Sequence, residues 1–212
     1  LRPRPDYSLY LVTDRPLCLG RDLIDIVLSA VAGGATMVQL REKHAGTRDF
    51  VALAKALKAA LAPFNVPLLI NDRVDVALAA GADGVHIGQS DMPAADVRRL
   101  IGPDMLLGLS MDTPDNVREA ATLDLDYLGL GPVFATATKS DAGAPWGLAG
   151  LSAILPEARQ PVVGIGGIDL ANAADVVRAG AEGVAVVSAI CSAKDPAAAS
   201  AALLAAVRSA RP

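Results

Sequence analysis

Three stretches of this chain share one pattern: a helical run closes on glycine and a short apolar run follows at once. They are Ala32-Gly33-Gly34-Ala35-Thr36-Met37-Val38-Gln39-Leu40, Ala80-Gly81-Ala82-Asp83-Gly84-Val85-His86-Ile87 and Ala179-Gly180-Ala181-Glu182-Gly183-Val184-Ala185-Val186. Glycine supplies the left-handed cap that ends a helix, and Val and Ile then favour a strand buried on both faces. Followed along the chain, the pattern predicts strands near Leu9–Thr13, Thr36–Arg41, Pro67–Asn71, Gly84–Gly88, Leu106–Ser110, Tyr127–Gly131, Val162–Ile165 and Gly183–Val187. Amphipathic or Ala-rich helices are expected between them, at Leu23–Ala32, Asp49–Leu61, Val74–Ala80, Ala94–Leu100, Asp115–Ala121, Ala171–Arg178 and Pro196–Ala210. Asp22, Thr47, Thr113-Pro114 and Asp169 provide start signals.

Strands alternating with helices imply parallel pairing with the helices outside. Eight such units predict an α/β fold: a single (β/α)8 TIM barrel over residues 1–212, with the active site at the C-terminal ends of the strands. At 212 residues the chain is compact for that architecture. A doubly wound open sheet is the competing arrangement. The hydrophobic fraction of 52% is ample for a core, while aromatics at 3% leave it to Ala, Val, Leu and Ile, with one Trp, Trp146.

A net charge of −4 argues against a nucleic-acid footprint but leaves room for a local basic pocket that takes a small anion. Cys18 and Cys191 match no metal spacing and make no disulfide framework, so two free thiols are expected. No apolar run reaches the roughly 20 residues that span a bilayer, and Leu1–Tyr10 carries no apolar signal core, so a cytoplasmic protein without membrane partners is expected. The Ala/Leu-rich helices would support a homodimer as readily as they cover a barrel.

In such a barrel the polar residues that end the strands are the candidates for chemistry. After the second strand, alternation puts Gln39, Arg41 and Lys43 on one face. A buried cation there needs an anion, either a protein carboxylate or a ligand phosphate. Asn71-Asp72-Arg73 follows the third strand and Gly88-Gln89-Ser90-Asp91 the fourth. Asp72 and Asp91 end adjacent strands and suit a hard divalent cation such as Mg²⁺; each also stands where a helix cap would. His86 reads as a hydrogen-bonded core group rather than a base. Ser110 lacks a His–Asp partner set and reads as a hydrogen-bond donor to a ligand.

The longest irregular stretch, Ala135–Trp146, reads as a functional loop in which Thr136, Thr138 and Lys139 can bind an oxyanion. Gly166-Gly167 after the seventh strand and Val187-Ser188 after the eighth occupy the recurrent phosphate position of this barrel class.

Taken in order, Gln39-Leu40-Arg41-Glu42-Lys43, Asn71-Asp72-Arg73, Gly84-Val85-His86-Ile87-Gly88-Gln89 through Asp91, Gly131-Pro132-Val133-Phe134 through Thr136-Ala137-Thr138-Lys139 and Gly164-Ile165-Gly166-Gly167-Ile168 resemble the thiamine-phosphate synthase family over nearly the whole chain. The resemblance implies a transferase that joins 4-amino-5-hydroxymethyl-2-methylpyrimidine diphosphate to 4-methyl-5-(2-phosphoethyl)thiazole and releases pyrophosphate. It implies that Gln39, Arg41, Lys43, Asn71, Ser110 and Lys139 hold the pyrimidine diphosphate, with Arg41, Lys43, Lys139 and Ser110 acting in the reaction. It further implies that Asp72 and Asp91 ligate one Mg²⁺, and that Thr136, Thr138, Gly167, Val187 and Ser188 hold the thiazole phosphate. A thiazole tautomerase and a non-catalytic regulatory paralogue share the barrel and stand as alternatives.

Overall fold

The computed structural model describes residues 5–136 and 143–211. Eight parallel strands close on themselves in sequence order: β1 (Leu9–Val12), β2 (Met37–Leu40), β3 (Leu68–Asn71), β4 (Gly84–Ile87), β5 (Leu106–Met111), β6 (Tyr127–Leu130), β7 (Val162–Ile165) and β8 (Gly183–Val186), which pairs back onto β1. This is the TIM barrel, and the open-sheet alternative falls with the β1–β8 pairing. Outside lie α1 (Leu23–Ala32), α2 (Thr47–Leu61), α3 (Val74–Ala80), α4 (Ala94–Ile101), α5 (Pro114–Ala120), α6 (Gly147–Ile154), α7 (Ala173–Arg178), the single turn α8 (Ser188–Cys191) and α9 (Pro196–Ser209). Among the described residues, no helix is long and apolar enough to cross a membrane.

Asp22 caps α1 by accepting from the Ile24 and Asp25 N–H groups, and Thr113 closes a capping box with Asn116 at α5. Three starts differ from the expected bounds, α5 by one residue, at Pro114 rather than Asp115. Thr47 is the first residue of α2 and Gly46 its cap. Helix α7 begins at Ala173 because Asp169 and Asn172 tie residues 169–172 into a turn: Asn172 Oδ1 accepts from Asp169 N–H at 2.9 Å and Asp169 Oδ1 from Ala171 N–H at 2.8 Å. Helix α6 carries Gly147 and Gly150, which weaken its helical signal in the sequence.

Strand alternation sorts the core into two layers. Outward residues such as Leu9, Leu11, Val38, Leu40, Leu68, Ile70, Val85, Ile87, Leu128 and Leu130 meet the helices in one large aliphatic layer. Inward residues Tyr10, Val12, Met37, Leu69, Leu106, Tyr127, Val163 and Ala185 fill the barrel itself together with Tyr7. The inner layer departs from the all-aliphatic expectation, since all three tyrosines of the chain gather there. The Tyr7 and Tyr10 rings lie 5.3 and 5.8 Å from that of Tyr127. Gly108 makes this packing feasible: a Cβ there would sit 2.1 Å from the Tyr127 ring.

The N-terminal ends of the strands are tied by ion pairs. Asp83 accepts from the Leu68 N–H at 2.8 Å and from Lys58 of α2 at 2.6 Å. Asp126 likewise accepts from the Leu107 N–H at 2.7 Å and from Arg98 of α4 at 2.8 Å. One carboxylate thus ties a helix to a strand at the end opposite the candidate site, where residues serve stability.

Candidate active site

Continuing inward positions toward the strand C-termini changes the chemistry. Two residues beyond Met37, Leu69, Gly84 and Gly108 come Gln39, Asn71, His86 and Ser110, so the apolar barrel floor gives way to a polar one. Above it opens a cavity of about 660 Å³. Gln39, Arg41, Lys43, Asn71, Asp72, Asp91, Ser110, Thr136, Gly167, Val187 and Ser188 all line it. Every described residue singled out for a site in the sequence therefore meets in one cavity. Thr138 and Lys139 lie outside the described residues.

On one wall, Arg41 Nη1 donates to Asp14 Oδ2 at 2.8 Å, and the Arg41 backbone N–H donates to Thr13 Oγ1 at 3.0 Å. Arg41 has a carboxylate partner and still faces the cavity, so the two anions left open by the sequence are compatible. In the sequence Asp14 reads only as one acidic residue after the first strand. Lys43 Nζ lies 2.6 Å from Asp72 Oδ2.

Neither aspartate caps a helix. Helix α3 has Arg73 and α4 has Pro93 at the cap position, both without a side-chain cap bond. Asp72 holds φ +60°, a left-handed conformation that Asp tolerates better than most residues. Its N–H donates to the His86 carbonyl at 2.8 Å. Asp91 turns back to accept from the Gly88 N–H at 2.7 Å. Burial raises the Asp91 carboxyl above the ordinary range, and the neighbouring Asp72 carboxylate adds to the rise against the Gly88 bond that lowers it.

The two carboxylates therefore share one corner of the cavity. Two all-oxygen ligands without a His or Cys fit a hard cation such as Mg²⁺. Among the described residues no cage of three or more ligands forms, so substrate oxygens and water would complete the shell.

On the opposite side, the loops after β6 and β7 are laced together. Val133 N–H donates to Ile165 O at 2.8 Å and Phe134 N–H to Gly166 O at 3.0 Å. This brings the Thr136 segment alongside Gly167, whose φ is +64° and whose missing Cβ would meet Ala135 O at 2.6 Å. Only glycine fits there. Bare backbone and the Ser188 hydroxyl can then approach an anion.

Across the floor, Gln39 Nε2 donates to Tyr10 Oη at 2.8 Å, and Tyr10 Oη lies 2.9 Å from Tyr127 Oη. Tyr127 Oη lies 2.7 Å from His86 Nδ1, and His86 Nε2 lies 2.9 Å from Ser110 Oγ. His86 is thus a hydrogen-bonded group between strands, as expected. In the sequence Tyr10 and Tyr127 carry no signal of this role beyond their inward parity on strands β1 and β6.

A family model described as thiamine monophosphate synthase matches residues 9–190. The chain belongs to the thiamine monophosphate synthase family. It is 56% identical to a thiamine-phosphate synthase of Xanthobacter autotrophicus over 210 residues, covering 99% of this chain and all of the relative. It is likewise 56% identical to one of Albidiferax ferrireducens over 188 residues, 89% of this chain and 86% of the relative. A solved thiamine phosphate pyrophosphorylase from Pyrococcus furiosus superposes with a TM-score of 0.90 at 38% identity, covering 98% of both chains. Membership makes the chain an enzyme, a transferase of thiamine biosynthesis with thiamine-phosphate synthase activity.

Proposed function

We propose that the cavity binds 4-amino-5-hydroxymethyl-2-methylpyrimidine diphosphate and 4-methyl-5-(2-phosphoethyl)thiazole together and joins them to thiamine phosphate with release of pyrophosphate. The observation that carries this reading is the pairing, across one cavity, of a wall of cations and carboxylates suited to a metal-bound diphosphate with a second wall of bare backbone and hydroxyls suited to a phosphate. Arg41, Lys43, Asp72 and Asp91 form one wall, and Thr136, Gly167, Val187 and Ser188 form the other. Two phosphorylated substrates need two such subsites.

In this reading Gln39, Asn71 and Ser110 seat the pyrimidine ring, and Arg41 and Lys43 contact its diphosphate. By resemblance Lys139 joins the diphosphate contacts and Thr138 the thiazole-phosphate wall. Asp72 and Asp91 would hold one Mg²⁺, whose chemistry is to neutralise charge on the diphosphate. Arg41 and Lys43 stabilise the negative charge that grows on the leaving diphosphate oxygen as the methylene C–O bond breaks. The bonding pair leaves with pyrophosphate, and the electron-rich aminopyrimidine spreads the positive charge on the methylene. The thiazole nitrogen, aligned by its phosphate in the Gly167–Ser188 wall, supplies the pair for the new C–N bond. Orientation and electrostatics carry the rate, so no protein nucleophile is needed.

A tautomerase would require a histidine available for proton transfer. His86 engages Tyr127 and Ser110 through its two ring nitrogens, and His44 lies exposed outside the cavity lining. The test is turnover by Asp72→Ala and Arg41→Ala at saturating Mg²⁺: each should lose on the order of 10²-fold or more in kcat/KM. Near-normal rates in both would remove this mechanism.

A further inference from the structure

The floor chain from Gln39 to Ser110 has only one arrangement of hydrogens that uses every donor. An amide nitrogen donates and cannot accept, so the first link runs from Gln39 to Tyr10. Burial raises both phenols well above their ordinary range, so each keeps one hydrogen to place. Among the described residues Tyr10 Oη bonds only to Gln39 and Tyr127. Having accepted from the first, it donates to the second or leaves a buried donor bare, which is the costlier state. Tyr127 then accepts from Tyr10 and donates to His86 Nδ1. A ring nitrogen that accepts carries no proton, so the imidazole proton sits on Nε2 and goes to Ser110 Oγ. The Ser110 hydrogen is left to point into the cavity, and Gln39 keeps Oε1 as its acceptor.

We propose that Tyr10, Tyr127 and His86 are positioning residues whose directed chain fixes Ser110 as a donor and Gln39 Oε1 as an acceptor, so that the cavity selects a 4-aminopyrimidine edge over a 4-oxopyrimidine edge. This deepens the pyrimidine assignment and rests on it. An aminopyrimidine presents an exocyclic N–H donor beside a ring-nitrogen acceptor. The oxo analogue presents a carbonyl acceptor beside a ring N–H, the reverse order. The oxo analogue sets its ring N–H against the Ser110 hydrogen and its carbonyl against Gln39 Oε1, so it binds only by giving up at least one of those contacts, and links in such a chain reinforce one another.

The polarity is read without substrate by ¹⁵N NMR of the ¹⁵N-histidine-labelled protein. The chain has two histidines, His44 and His86, and His44→Gln assigns the spectrum. His86 should show a bare Nδ1 and a protonated Nε2; a protonated Nδ1 overturns the proposal. Tyr127→Phe keeps the ring that packs over Gly108 and removes the donor to Nδ1. In that variant the His86 Nε2–H form should give way to a mixture. Preference for the 4-amino over the 4-oxo pyrimidine diphosphate, as kcat/KM, should fall by about tenfold, the worth of one hydrogen bond. His86→Gln, whose amide can still donate to Ser110, should retain more of that preference than His86→Leu. An unchanged preference in Tyr127→Phe overturns the positioning role. Failure of wild-type protein to bind either pyrimidine diphosphate, with Nε2–H still observed, would instead sink the pyrimidine assignment and leave the directed chain standing.

Discussion

Lys43 Nζ lies 2.6 Å from Asp72 Oδ2. The lysine thus balances one of two carboxylates that crowd the same corner, where Asp91 already titrates above its ordinary range through burial and the neighbouring Asp72. A divalent cation held by the aspartates would relieve the same crowding. Asp72→Asn and Asp91→Asn should each weaken divalent-cation binding on the order of 10²-fold, since each removes one of the two proposed anionic ligands. Titration with Mn²⁺ followed by electron paramagnetic resonance checks this. Wild-type affinity in both variants would remove the aspartates as ligands.

Asp14 holds Arg41 through a charge-assisted bond. Asp14→Asn preserves the shape and removes the charge, so the guanidinium loses its orientation while keeping its own charge. Expected is a fall of about tenfold in kcat with the circular dichroism spectrum unchanged, because misplacement of a charge-stabilising group acts on the transition state. Unaltered kcat would reduce Asp14 to a structural partner.

Gly167 sits at φ +64° with Ala135 O 2.6 Å from where a Cβ would lie. Gly167→Ala should therefore cost roughly 1–3 kcal/mol of stability through strain. It should also push apart the two loops of the proposed thiazole-phosphate wall. Thermal melting and titration with the thiazole phosphate report the two effects separately. A variant as stable as wild type would show that the loops yield without strain.

Cys18 and Cys191 are buried free thiols, as the sequence led us to expect. Burial pushes the Cys191 thiol from its ordinary value near 9 up to about 12, and raises Cys18. A raised acid pKa in the folded state favours folding below the ordinary value and loses that advantage as pH climbs from there toward 12. The urea midpoint should fall between pH 8 and pH 10, and Cys191→Ala should flatten that slope. Alkylation by iodoacetamide at pH 8 should be slow in the native protein and prompt in urea. Fast native alkylation of Cys191 would contradict its burial.

The repeat of helix, glycine and apolar run exposed three strands directly, because glycine marks the helix end before each, and the alternation it sets located the other five from their short apolar runs. Boundaries slipped by a residue or two where local side chains intervene, as with Asp169 and Asn172 before α7. The site was legible where a polar residue interrupts an apolar strand, as at Gln39, or follows its C-terminal end, as at Arg41, Asp72 and Asp91. It was not legible where the partner comes from a distant strand. Nothing local couples Asp14 to Arg41, or Tyr10 to Tyr127 across 117 positions. Barrel closure brings those pairs together, and an apolar ring hides a tyrosine's polar role.

Product analysis with both phosphorylated substrates, with and without Mg²⁺, tests the central assignment most directly by following thiamine phosphate and pyrophosphate in one reaction. The expected result is equal formation of both products, abolished by a chelator and restored by added Mg²⁺. Absence of both products from protein that still binds the thiazole phosphate would contradict the assignment.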